Sequence, residues 1–494
     1  IGQSGEERTA RRRRVAGMSR VRAGSNSSGD LRRSKLLSTL SESHLIDALS
    51  TSSSTHQLAE SEDVLCNLKS LPWEVPFDER INRSTWVQTT FIITAEVMGA
   101  GVLGLPFALS RLGWALGLAS LVLFACTAMY AGVLLARVRN FLQPHCVSYA
   151  DLAQALVGPR FAALTRGCTS VTWALLLPYY LLACTNAIRA AFPRLSWCPS
   201  KVSLLCAGLL LAPLQLRDLH ALSYVCTLSS ACMFTVVGVI AITFLVDGPP
   251  TDIQTSVGPM AGQTFLDAYS SFGTIIFAYQ GQSIFCEIMR EMRDSRQFSF
   301  SLTVANSVMM VVYTFISAIA YATHGTDIKG FLPASMREGP PKVAVNVMVA
   351  FIAIVSYLVT GQPLHRLIHF SLSPQTVDTP SAAAAGWWLV ITSVLLLFSF
   401  VVANAIPFFE DLQALLGALT GAPIVFAFPA LFYLRGCHLK RVRVAPFDKA
   451  ACYAYAGVFF PLFTILGVVN ALELIARHSG SHGAPFSCSN ASVD

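Results

Sequence analysis

Between Thr85 and Leu472 the chain returns eleven times to an apolar stretch of roughly bilayer-spanning length. The stretches run approximately over 85–109, 113–136, 167–188, 202–216, 223–246, 264–287, 299–323, 343–364, 384–405, 412–434 and 450–472. Nearly all are free of charge between their ends. In lipid every backbone polar group must find a partner within the protein, and helices of this length provide one. Composition agrees: 53% of residues are hydrophobic and 13% charged, about half the charge of a soluble domain. A water-soluble multidomain enzyme is excluded. A nucleic-acid binder is excluded too, because the +7 net charge comes with no basic and aromatic residues interleaved on a folded face. The expected fold is an all-α integral membrane protein of about eleven transmembrane helices.

Three regions follow. Residues 1–84 form a Ser-rich head with ten Lys/Arg between residues 8 and 35 against the single acid Asp30; its lack of apolar periodicity predicts a disordered cytosolic segment. A basic membrane tether or a transit peptide remains as an alternative. The chain opens on Ile1 rather than Met, which leaves a start further upstream open. Residues 85–472 form the membrane domain and 473–494 a short tail. Lys/Arg in the inter-span loops number fourteen on the head's side against eight on the other, which predicts a cytosolic N-terminus. The C-terminus is then extracellular or luminal, where Asn490-Ala491-Ser492 forms a glycosylation sequon. Cys198 and Cys488 fall on that oxidising side and are available for a disulfide. Most of the thirteen cysteines sit inside apolar runs as small hydrophobes. No metal-ligand spacing is legible. Residues 148–158 read as a short amphipathic helix before the third span. Sorting between plasma membrane and vacuole or lysosome is not encoded legibly.

Two spans are interrupted. The first holds Met98-Gly99-Ala100-Gly101-Val102-Leu103-Gly104-Leu105-Pro106 near its middle. Each glycine weakens a helix by about 1 kcal/mol and proline costs more. The sixth holds Phe277-Ala278-Tyr279-Gln280-Gly281-Gln282-Ser283, a polar island between apolar flanks. Close GxxxG-type packing would account for either one alone. Four spans separate them, however, so each opens a set of five with the eleventh left over. That is the arrangement of an inverted-repeat transporter, with the first helix of each half broken near the midplane. Half-helix N-termini offer N–H groups and positive dipole ends to a carboxylate. Unwound carbonyls offer the opposite polarity to an ammonium or a cation.

Glu96 is the one acid well inside a span, three residues before Gly99. A charge there costs about 2.5–3.5 kcal/mol to insert, so a carboxyl that loads and releases a proton is the functional reading; a permanently protonated Glu bonded to a neighbouring helix is the structural one. Ser356 and Thr360 share a face of the eighth span and precede Gly361-Gln362-Pro363. Their hydroxyls could hold an ion, or simply bond back to the i−4 carbonyls. Tyr179 or Tyr180 could wall a pocket. Glu287 and Arg290 read as an interfacial ion pair. His365 and His369 lack the acid of a zinc-protease motif, and no nucleophile motif occurs. No enzyme and no cofactor is expected.

The runs GAGVLGLPFAL (99–109), FAYQGQSIFCEIMREMRD (277–294) and PFFEDLQALLGALTGAPIVFAFPALFYL (407–434) together resemble the amino acid/auxin permease family, over roughly Ser84 to Leu472. The resemblance implies a leucine-transporter-type fold, a 5+5 inverted repeat plus one helix. It implies secondary transport of amino acids or related carboxylates, driven by protons or in some branches by sodium. It maps the substrate region onto Gly99, Ala100, Gly101 and Val102, and onto Tyr279, Gln280 and Gly281. Sodium-coupled members tend to carry Asn where this chain has Ala95; Glu96 beside it favours co-transported H+ over Na+, with Thr360 keeping sodium open.

The expected function is proton-coupled amino acid symport by alternating access, with an amino acid and the lipid bilayer as partners. Glu96, Ser356 and Thr360 are the candidate coupling residues. A sodium-coupled symporter is the alternative, as is an amino acid sensor signalling through the head with little flux. A channel is disfavoured, since nothing resembles a re-entrant filter.

Overall fold

A computed structural model describes residues 84–481, apart from 194–196, 216–218, 250–252, 260–263, 378–380 and 407. The expectations for the head, for the sequon and for Cys488 lie outside the described residues. Cys198 itself is disulfide-bonded.

Among the described residues the chain is helical, and its one β-type contact is an isolated bridge between Ser84 and Met292. The helices are α1 (Trp86–Val97), α2 (Leu105–Arg137), α3 (Tyr149–Leu156), α4 (Pro159–Ala191) and α5 (Pro199–Leu211). Then come α6 (Leu219–Asp247), α7 (Phe265–Ala278), α8 (Phe285–Glu291), α9 (Phe298–His324) and α10 (Pro340–Leu372). The last are α11 (Ala382–Ala405), α12 (Phe409–Leu416), α13 (Phe428–Leu439), α14 (Pro446–Ala454) and α15 (Gly467–Ser481). Short wide turns join α12 to α13 and α14 to α15, so each pair reads as one crossing. The final helix runs on to Ser481, past the expected end of the last span.

Local sequence explains the starts. Thr85 with Gln88, Ser148 with Asp151 and Thr264 with Asp267 form reciprocal capping boxes for α1, α3 and α7. Proline opens α4, α5 and α10, where its missing N–H is no loss. Gly113 separates the first crossing from the second inside α2: its φ is 75°, a left-handed conformation natural to glycine. The loop before α7 seals that turn, with the Trp114 N–H donating to the Ser256 carbonyl at 3.0 Å and the Ala115 N–H to Val257 at 2.8 Å.

Eight helices among the described residues are long and apolar enough to cross a membrane, against the eleven expected. The difference has a physical cause. The first and sixth crossings are broken into halves, each too short by itself, and the fourth ends at Leu211 before the turn at Pro213–Gln215. The third crossing is longer than expected, beginning at Pro159 rather than 167.

Packing divides the bundle. Helices α1, α2, α7 and α9 pack on one another, and α4, α5, α6, α10 and α11 form a second group, with α4 lying along α10. The two packed groups meet along the broken helices.

Candidate functional site

Both breaks are real interruptions. The first helix stops at Val97 and resumes at Leu105 through a tight turn over Ala100–Gly104; the seventh stops at Ala278 and resumes at Phe285. The breaks interlock because their glycines admit close approach. A methyl on Gly101 would sit 3.2 Å from the Ala278 Cα, and one on Gly281 would sit 2.6 Å from a Val97 methyl.

A cavity of about 730 Å³ opens between the breaks. Its wall includes Glu96, Gly99 and Gly101 from the first crossing, Gln280, Gly281 and Glu287 from the sixth, Tyr179 and Tyr180 from α4, and Thr360 from α10. It reaches toward Glu291, Arg366 and Val377, the end that the Lys/Arg count expects in the cytosol. The opposite end is shut by aromatic rings. Tyr179 stacks on Phe409 at 4.8 Å and meets Phe277 edge-on at 5.1 Å, while Phe331 meets Phe409 at 5.3 Å.

The polar groups follow from the breaks. The Gly101 N–H finds no acceptor among the described residues, while the Gly101 carbonyl accepts from Gln413 Nε2 at 2.8 Å. The Gly281 N–H is taken by the side chain of Gln282 at 2.9 Å. The Gln280 side-chain oxygen and the Tyr179 hydroxyl are buried without a partner among the described residues. Pro363 inside α10 has no N–H, so the Val359 carbonyl one turn back loses its helical donor; Val359 and Thr360 both line the cavity. The Tyr180 hydroxyl interacts with the Thr360 side chain across the wall. The Glu96 carboxyl has no hydrogen-bond or ion-pair partner among the described residues.

Of the residues singled out from sequence, Glu96, Gly99, Gly101, Gln280, Gly281 and Thr360 share this cavity. Ala100 lies in the turn between Gly99 and Gly101. Val102 and Tyr279 do not reach the cavity: Val102 is fully buried, and Tyr279 is packed on Tyr313 at 5.2 Å. Ser356 lies off the wall. The expected Glu287–Arg290 pair is absent among the described residues. Glu287 and Glu291, one turn apart on α8, both face the cavity, and Arg290 is exposed outside it. Asp267 caps α7 and pairs with Arg111 at 3.5 Å.

Sequence reading missed two residues. Tyr313 of α9 donates to the Ala278 carbonyl at 3.2 Å, with the Val97 carbonyl at 3.5 Å. Gln413 of α12 is fully buried and holds Gly101.

Comparisons with known proteins identify the family. The family model for transmembrane amino acid transporter proteins matches residues 82–470. The chain is 26% identical over 421 residues to the amino acid transporter AVT1D of Arabidopsis thaliana, covering 80% of this chain and 73% of the relative. It is 24% identical over 408 residues to the vesicular inhibitory amino acid transporter of Rattus norvegicus, covering 77% and 74%. It is 23% identical over 375 residues to the N amino acid transport system protein of Neurospora crassa, covering 72% and 77%. Among solved structures, the inward-facing conformation of Mhp1 superposes with a TM-score of 0.54 at 13% identity, covering 81% of this chain and 92% of that one. That likeness assigns the leucine-transporter-type fold. The chain belongs to the transmembrane amino acid transporter family.

Proposed function

We propose that this protein is a proton-coupled amino acid symporter working by alternating access. The observation that carries the reading is a cavity holding both helix breaks, with a Gly101 N–H and a Glu96 carboxyl that have no partner among the described residues. The substrate carboxylate binds at the first break, where N–H groups and the start of the resumed helix favour an anion. The ammonium turns toward the sixth break, near the free oxygen of Gln280. Glu96 takes up the proton beside it. With the aromatic rings closed at one end and the cavity open at the other, the arrangement corresponds to the substrate-releasing, inward-facing state. The names of the relatives, amino acid transporters including a vesicular one, support the substrate class.

The test is uptake of radiolabelled amino acids by the full chain in proteoliposomes, with and without an imposed proton gradient in sodium-free buffer. Accumulation that collapses with a protonophore supports the reading. Uptake that ignores the proton gradient but appears on adding sodium overturns the coupling and transfers it to the second reading. That reading rests on Thr360, which shares the cavity wall with the freed Val359 carbonyl and could hold sodium.

A further inference from the structure

The charged residues in the cavity wall are Glu96, Glu287 and Glu291 against Arg366. None of the three acids forms an ion pair among the described residues, whereas Arg366 is engaged in an interaction of its own. Glu287 and Glu291 stand at i and i+4 on α8, where like charges destabilise a helix. Glu291 is also the last residue of α8, and the negative end of the helix dipole opposes an anion there. The pair is therefore held at a local cost with both acids in the wall, while the cation between them, Arg290, is exposed outside the cavity.

The uncharged groups of the wall lean the same way. The Gln280 side-chain oxygen is buried without a partner among the described residues, and Pro363 deprives the Val359 carbonyl of its helical donor. Both are acceptors. On the donor side stand the Gly101 N–H and the Tyr179 hydroxyl, which belongs to a wholly buried side chain and has no partner among the described residues. The carboxylate of an amino acid takes the donors at the first break, and its ammonium takes the acceptors at the sixth. Glu287 and Glu291 are left over. With Glu96 protonated, these two acids still outnumber Arg366 by one, which matches a single further positive charge.

We propose that the cavity selects amino acids with a basic side chain, whose cation is held by Glu287 with Glu291 beyond it; this rests on the amino acid transport proposed above. The spacing suits a long side chain. From Gly281 the chain makes the tight turn Gln282–Ile284 and then enters α8, which places Glu287 about 10 Å along from the break. Helical side chains lean toward the N-terminus, so Glu287 covers the interval on the side of the break. An acidic side chain there meets like charge, and a neutral one leaves both carboxylates without a counter-charge.

The test compares arginine with citrulline, which keeps the chain length and replaces the guanidinium by a neutral urea group. Thermal stability of the full chain in a neutral detergent is titrated with each, and with lysine and glutamate; uptake of radiolabelled arginine and citrulline is measured in proteoliposomes. Arginine should act at a half-effect concentration about tenfold below that of citrulline, with lysine resembling arginine and glutamate weakest. Glu287→Gln should shrink the arginine-to-citrulline preference about fivefold and Glu291→Gln about twofold. Glu291 is exposed at the end of α8, so its variant carries the test if Glu287→Gln does not fold. Arg290→Gln changes a charge outside the cavity and should leave the preference as it is. Equal action of arginine and citrulline overturns the proposal, as does a preference that the two Glu variants leave intact or that Arg290→Gln shifts as far as they do. Saturable citrulline uptake in the same vesicles would then show that amino acid transport itself stands. If no amino acid stabilises the chain or enters the vesicles, the transport reading fails and the selectivity with it.

Discussion

The Tyr313 hydroxyl donates to the Ala278 carbonyl over 3.2 Å, and the Val97 carbonyl lies 3.5 Å from the same oxygen. One side chain on α9 therefore serves the last carbonyl of α7 and lies against that of α1, which already accepts from the Gly99 N–H at 2.8 Å. Buried carbonyls left without a donor cost about 1–3 kcal/mol. Tyr313→Phe keeps the ring and its packing on Tyr279 while removing the donor. The expected result is a 5- to 100-fold fall in uptake rate at unchanged membrane expression. Uptake in proteoliposomes at matched protein content is the check; an unchanged rate would refute the bridge.

The glycines of the first break differ in what surrounds them. A methyl on Gly99 would meet nothing within 4 Å, whereas one on Gly104 would collide with the side chain of Gln413. Gly104→Ala should therefore lower the yield of folded protein, with an overpacking penalty of about 1–3 kcal/mol. Gly99→Ala should fold like the unmodified chain. Monodisperse recovery on size-exclusion chromatography distinguishes them, and equal recovery would sink the claim that Gln413 fixes the break.

The breaks themselves were legible in the sequence, because glycine, proline and polar residues stand out in an apolar helix. Their placement four spans apart carried the fold. What held them was not legible. Tyr313 looks like any tyrosine in an apolar run, and Gln413 like a polar residue at a helix end, because their partners are backbone carbonyls distant in sequence. Glu287 was misread for a related reason: spacing on α8 places Arg290 one turn away but says nothing of the cavity that Glu287 faces instead. Val102 and Tyr279 belong to the broken segments, yet the turn geometry directs them into packing. A count of spans suffers where a crossing is made of two short helices.

Glu96 stands three residues before the first break, in the cavity wall and without a partner among the described residues. If it binds the coupling proton, Glu96→Gln should remove the dependence of uptake on the pH gradient. Exchange of internal for external substrate moves no net proton and should continue. Parallel measurement of gradient-driven accumulation and exchange in the same vesicles tests this. Accumulation that still follows the gradient in the variant would assign the proton elsewhere.

The aromatic closure predicts which face of the cavity is accessible. Phe409 touches both Tyr179 and Phe331, at 4.8 and 5.3 Å, and such ring contacts contribute about 0.5–1.5 kcal/mol each. Phe409→Ala removes both, which should shift the balance between open and closed ends by roughly 5- to 100-fold. A cysteine placed at Thr360, in the cavity wall, reports the shift. In the Phe409→Ala background a membrane-impermeant maleimide added from the non-cytosolic side should label it several-fold faster than in the parent. Equal labelling rates would mean that Tyr179, Phe409 and Phe331 pack together without gating the cavity.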